Sequence, residues 1–149
     1  MSLFEKTGNL LAVDPGETIG WAWFYANGDD SFEYINSGQT EWEKFLNELE
    51  IGIFIFRKNG FEILIEDYKI RKDTISANID KELLTVKVIG VIEWMCRRKA
   101  ITTILQPAGM GNAFFNKKRL KEMDLWVVGK QHARSAIQHG MYYLTFGRD

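Results

Sequence analysis

Apolar residues enter this chain in short runs bounded by turn residues. Residues 10–13 form an unbroken apolar run that closes on Asp14, Pro15 and Gly16. A run of that length reads as a buried strand, and Pro followed by Gly forces the turn that ends it. A second strand is predicted over 19–26, rich in aromatic and β-branched residues. A third is predicted over 32–37, where polar and apolar positions alternate. Asn27-Gly28-Asp29-Asp30 between them is a hairpin turn signal. Thr40 and Glu43 have the spacing of a capping box, so a helix is expected from there to about Arg57, ended by Asn59-Gly60.

The pattern then changes period. A fourth strand is predicted over 61–68 around Ile63, Leu64 and Ile65, followed by a polar, basic loop over 69–79. Residues 80–99 place Leu83, Leu84, Val86, Val88, Ile89, Ile92 and Met95 on most sides of a helix, which suits a central element or a subunit contact. A fifth strand over 101–105 stops before Pro107. A short basic helix is expected within 112–123. A last helix over 130–145 has its apolar stripe at Ala133, Ala136, Ile137, Gly140, Met141 and Leu144. The order is βββαβαβα: an α/β domain with a mixed five-stranded sheet and helices on both faces. That order is similar to the ribonuclease-H-like fold.

Composition narrows the class. A chain of 149 residues suits one domain, 1–149, with a full core. Its N-terminus has neither the cationic start nor the apolar run of a signal peptide, no stretch is long enough to span a membrane, and the single Cys96 has no internal disulfide partner. A cytoplasmic setting is therefore expected. The net charge is −1 but unevenly spread: residues 1–67 carry 13 acidic and 4 basic side chains, and residues 68–149 carry 7 and 15. Such asymmetry predicts a basic surface in the second half and a polyanionic partner.

The candidate chemistry begins with Asp14, a carboxylate held at the end of a rigid strand. Glu66 ends the fourth strand in Ile63-Leu64-Ile65-Glu66-Asp67-Tyr68. If that strand pairs in parallel with the first, Asp14 and Glu66 lie side by side at the carboxyl edge of the sheet, where open α/β folds place their sites. Crowded carboxylates stay ionised with a cation between them. Hard oxygen ligands select Mg²⁺ or Mn²⁺, which activates water and stabilises a phosphate under attack.

These residues resemble a known family. Ala12-Val13-Asp14-Pro15-Gly16-Glu17-Thr18-Ile19-Gly20-Trp21-Ala22 is similar to the first motif of the RuvC Holliday-junction resolvases. Ile65-Glu66 is similar to the second, and Lys130-Gln131-His132-Ala133-Arg134-Ser135-Ala136 to the C-terminal helix motif. The likeness extends over nearly the whole chain, in the right order, and in particular to the small phage-encoded members, which would place the protein in a host cytoplasm. The resemblance implies a dimeric, metal-dependent endonuclease of branched DNA, with two ions per site held by Asp14, Glu66 and His132. It implies 5′-phosphate and 3′-hydroxyl products. His132 can ligate metal, or orient and deprotonate the attacking water. Ser135 stands where the family carries Asp. Three explanations are open: an engineered inactive form, a natural protein of reduced activity, or substitution by Asp67 or Asp124. Asp67 follows Glu66 and so points to the opposite sheet face. His139, one turn past Ser135, reads as structural.

Three basic groups are candidates for phosphate contact: Lys69, Arg71 and Lys72; Lys117, Lys118, Arg119 and Lys121; and Lys130 with Arg134. Phe114 and Phe115 suit either a helix anchored to the core or stacking on unpaired bases. Arg97-Arg98-Lys99 reads first as charge at a helix C-terminus. The leading expectation is a nuclease resolving four-way junctions as a homodimer through the helix at 80–99. The alternative, favoured by Ser135, is a non-catalytic branched-DNA-binding module.

Overall fold

The computed structural model describes residues 3, 4, 6–56, 60–68 and 79–148. The five strands are β1 (Leu10–Asp14), β2 (Thr18–Ala26), β3 (Phe32–Glu41), β4 (Glu62–Asp67) and β5 (Thr102–Pro107). They form one sheet in the order β3-β2-β1-β4-β5. The β1–β2 and β2–β3 pairs are antiparallel; β1–β4 and β4–β5 are parallel. The helices are α1 (Trp42–Phe56), α2 (Ile79–Arg98), α3 (Met110–Phe114), α4 (Lys117–Glu122) and α5 (Gln131–Tyr142). The mixed α/β sheet expected from the sequence is therefore present, with two cores on its two faces.

The two-residue period of the strands assigns each side chain to one core. Leu11, Val13, Ile63 and Ile65 face α1 and α2, where they meet Phe45, Leu49, Ile53, Val88, Ile92 and Cys96. Leu10, Ala12 and Leu64 face the other way, against Phe115, Leu120, Ala136, Ile137 and Met141 of the C-terminal helices. Continuing the alternation puts Asp14 and Glu66 on the α5 face.

Five local expectations need correction. β5 does not stop before Pro107 but runs through it, with Pro107 opposite Asp67 on the edge strand. β3 runs to Glu41, because its hydrogen-bonded pairing with β2 continues to Thr18–Glu41. Thr40 is therefore a strand residue opposite Ile19, and no capping box forms. Instead α1 leaves the strand directly, and the Trp42 N–H donates to the Glu17 carbonyl at 3.0 Å. The basic helix expected within 112–123 is two short helices, with Asn116 accepting from the Arg119 N–H as the cap of α4. The last helix passes at Tyr143–Gly147 into a single π-helical turn. The basic loop at 69–78 lies outside the described residues. Among the described residues no helix is long and apolar enough to cross a membrane.

Close backbone approach seats α5 on the sheet. A Cβ on Gly20 of β2 would fall inside the His132 carbonyl group, and one on Gly140 would fall inside the Phe24 ring. On α3, Gly111 makes the same allowance for the backbone of Gln138 and His139, at 2.7 to 2.9 Å from a hypothetical Cβ. Glycine lets backbone meet backbone at 20 and 111, and at 140 it leaves room for the Phe24 ring.

Candidate active site

A single row of residues crosses the sheet beneath α5. Gln39 of β3 pairs with Gly20, and Gly20 pairs with Asp14. Val13 pairs with Ile65, so Asp14 and Glu66 are the next neighbours along the parallel strands. Glu66 then pairs with Gln106 of β5. Members of one such row point to one face.

Helix α5 answers this row at helical spacing. At its start, the His132 and Ala133 N–H groups donate to Gln39 Oε1 at 3.1 and 3.4 Å. His132 Nδ1 is 3.1 Å from Asp14 Oδ2. Ser135 Oγ donates to Glu66 Oε2 at 3.3 Å. One turn on, Gln106 Nε2 donates to His139 Nδ1 at 2.7 Å and to the His139 carbonyl at 3.0 Å. Residues 132, 135 and 139 lie on one helical face, and each engages the next residue of the row. All four residues expected at the site thus come together.

The electrostatics follow from that crowding. Burial and the neighbouring Asp14 charge push Glu66 up to about 7, against the pull of the Ser135 hydroxyl. The hydrogen bond to Asp14 raises His132 above 6.5, against its partial burial. His139 is 3% exposed, and burial pushes it down to about 4. It is neutral and structural, as expected.

Asp14 and Glu66 suit a hard divalent cation, because the pair carries more negative charge than its burial tolerates. Among the described residues, however, no three His, Cys, Asp or Glu side chains form a group fit to hold a metal. The expected three-donor set of Asp14, Glu66 and His132 is not assembled. His132 turns Nδ1 onto Asp14, and Glu66 is taken by Ser135. Mg²⁺ suits two carboxylates, because it completes its shell with water and substrate phosphate oxygens.

Neither alternative carboxylate joins the site. Asp67 shares the face of Ile63 and Ile65. Asp124 sits exposed at a positive φ of 58° just past α4.

Of the basic candidates, Lys69, Arg71 and Lys72 lie outside the described residues, while Lys117, Lys118, Arg119 and Lys121 are exposed on α4. Lys130 precedes α5 and is exposed. Arg134 is half-buried over the Trp126 ring. Phe115 is buried, and Phe114 packs edge-on against Phe115 and Phe146, so both anchor α3 to the core. Arg98 at the end of α2 stacks on Trp94. Sequence reasoning missed Gln39 and Gln106. Both act on residues of α5 more than 30 positions away, and no local spacing signals them.

No family profile and no curated protein matches the sequence. Solved structures do resemble it. RuvC of Thermus thermophilus in complex with a Holliday junction substrate superposes with a TM-score of 0.62 at 10% identity, covering 93% of this chain and 96% of that one. Fowlpox virus resolvase in complex with Holliday junction DNA gives 0.57 at 13% identity, over 91% and 98%. The yeast mitochondrial Holliday junction resolvase gives 0.59 at 13% identity, over 93% and 78%. The chain shares its fold with these resolvases.

The raised value of Glu66 has a signed consequence. A carboxyl whose folded value lies above its unfolded 4.5 stabilises the fold fully below that unfolded value. The contribution is lost as pH rises through about 7. Without divalent ions, Glu66→Gln should match the wild type in urea denaturation at about pH 4. At about pH 8 it should exceed the wild type by about 2 kcal/mol, after discounting for residual solvent screening. Equal stabilities at both pH values would show that Glu66 is not strained by its site.

Proposed function

We propose that this protein is a divalent-metal-dependent endonuclease acting on branched DNA such as four-way junctions. The observation that carries the reading is the Asp14–Glu66 pair at the carboxyl ends of adjacent parallel strands, held under α5 by His132 and Ser135. Its fold is shared with resolvases, two of them solved on Holliday junction DNA.

When bound at Asp14 and Glu66, Mg²⁺ or Mn²⁺, in a two-ion site as the resemblance implies, would acidify the attacking water and offset charge on the scissile phosphate. The chain's own part is to hold the two carboxylates in register on neighbouring strands. His132 orients Asp14, and its raised basicity suits a proton acceptor working near neutral pH. Ser135 donates to Glu66 and favours its ionised form, while contributing no charge of its own.

A second reading, a branched-DNA-binding module without cleavage, is favoured by that same Ser135. Lys117, Lys118, Arg119, Lys121, Lys130 and Arg134 would supply phosphate contacts under either reading, as would Lys69, Arg71 and Lys72.

We also infer a homodimer through α2. One side of this helix is buried, while Leu83, Val86, Val91 and Trp94 stay exposed on it, Trp94 by 58%. Gly90 lies among them with open space where a Cβ would be, so another backbone can approach closely. A two-fold dimer presents two sites to a two-fold junction. Sedimentation should give twice the 17.3 kDa chain mass, and Leu83→Lys with Trp94→Lys should give the monomer. A wild type that sediments as a monomer at high concentration would remove the inference.

The nuclease reading is tested by incubating a labelled four-way junction with Mg²⁺ or Mn²⁺. Asp14→Asn or Glu66→Gln should lower cleavage by about 10³-fold or more while junction binding persists. Ser135→Asp should raise it in the presence of metal. Binding without cleavage by both the wild type and Ser135→Asp would favour the binding module.

A further inference from the structure

Trp126, on the segment joining α4 to α5, gathers a cation from each of those helices that the carboxylate site does not use. Trp126 is half-buried against the core on the α5 face. Lys117 Nζ stands 5.2 Å from the centre of its ring, and the guanidinium carbon of Arg134 stands 4.4 Å from the same centre. Arg134 is fixed further by an Nη1 donation to the Val127 carbonyl at 2.8 Å. Among the described residues neither cation has a carboxylate within ion-pair distance. Beyond Trp126 the chain leaves Val128 82% exposed before Lys130 and α5.

Two like charges gathered on one ring repel each other. The ring attracts each of them singly but neutralises neither. The arrangement therefore holds two positive charges no more than about 10 Å apart, without a carboxylate counterion among the described residues and with their long side chains already ordered. Ordering Lys and Arg is a main cost of binding an anion, and a surface that has ordered them beforehand binds more tightly. Arg offers a planar fork and Lys a point charge, and both suit phosphate oxygens. Arg134 stands two residues after His132 on α5, so its side chain leaves the helix away from the face that meets Asp14 and Glu66, and an anion bound here lies over the outer side of the first turn of α5.

We propose that Trp126 clamps Lys117 and Arg134 into a paired site for neighbouring phosphates of one nucleic-acid strand passing over the first turn of α5. The proposal rests on the branched-DNA reading and names the residues that seat the strand. Trp126 is the positioning residue, and the two cations make the contacts.

The test is fluorescence anisotropy of a labelled four-way junction across a salt series, without divalent ions, on the full chain. Trp126→Leu should weaken binding about ten-fold while the salt slope stays near the wild-type value, because the charges remain but are no longer ordered. Trp126→Phe should restore most of the affinity. The double variant Lys117→Gln with Arg134→Gln should lower the slope of log affinity against log salt by about 2. Wild-type affinity in a folded Trp126→Leu, or an unchanged slope in the double variant, would overturn the clamp while leaving the branched-DNA reading in place. A wild type that binds neither junction nor duplex would overturn both.

Discussion

Helix α5 can cross the sheet at its carboxyl edge because Gly20 has no side chain. The His132 carbonyl occupies the space that a Cβ would fill. From that point of contact the helix is placed to the residue: Gln39 receives its first N–H groups, Asp14 meets His132, Glu66 meets Ser135 and Gln106 meets His139. One turn of helix advances about 5.4 Å and adjacent strands lie about 4.8 Å apart. A helix laid across the strands therefore offers one side chain to each strand in turn. The site is the product of that near match.

The same placement sets the chemistry. Burial first, and then the charge of Asp14 beside it, push Glu66 up to about 7. A third carboxylate at 135 would sharpen the repulsion in the absence of metal. Ser135 instead donates a hydrogen bond to Glu66 and adds no charge. The neutral, buried His139 sits one turn away and adds no charge to the cluster.

The parts of this arrangement that depend on strand period were legible in the sequence. Asp14 follows Leu10 and Ala12 on one parity, and Glu66 follows Leu64, so both carboxylates had to share a face once β1 and β4 were parallel. Asp67 had to point away, and it does. His132 and Ser135, three apart, had to share a helical face. What escaped was set by contacts between distant segments. Thr40 and Glu43 have capping-box spacing, but pairing with β2 keeps Thr40 in a strand, and the ladder outweighs a local cap. Gln39 caps α5 from β3, and Gln106 steadies it from β5; neither has a neighbour in sequence that hints at the role. The basic run at 117–121 read as a patch of charge, and only the folded chain shows Trp126 gathering one member of it with Arg134.

The central claim is that α5 and the sheet hold Asp14 and Glu66 as one cation-binding pair. The direct measurement is a carbon-13 NMR titration of the carboxyl groups of Asp14 and Glu66, with and without saturating Mg²⁺. The account predicts that Glu66 titrates near about 7 without metal. With Mg²⁺ it should fall toward the ordinary carboxylate range, with the Asp14 signal shifting in the same titration. Curves for both residues that do not respond to Mg²⁺ would contradict it.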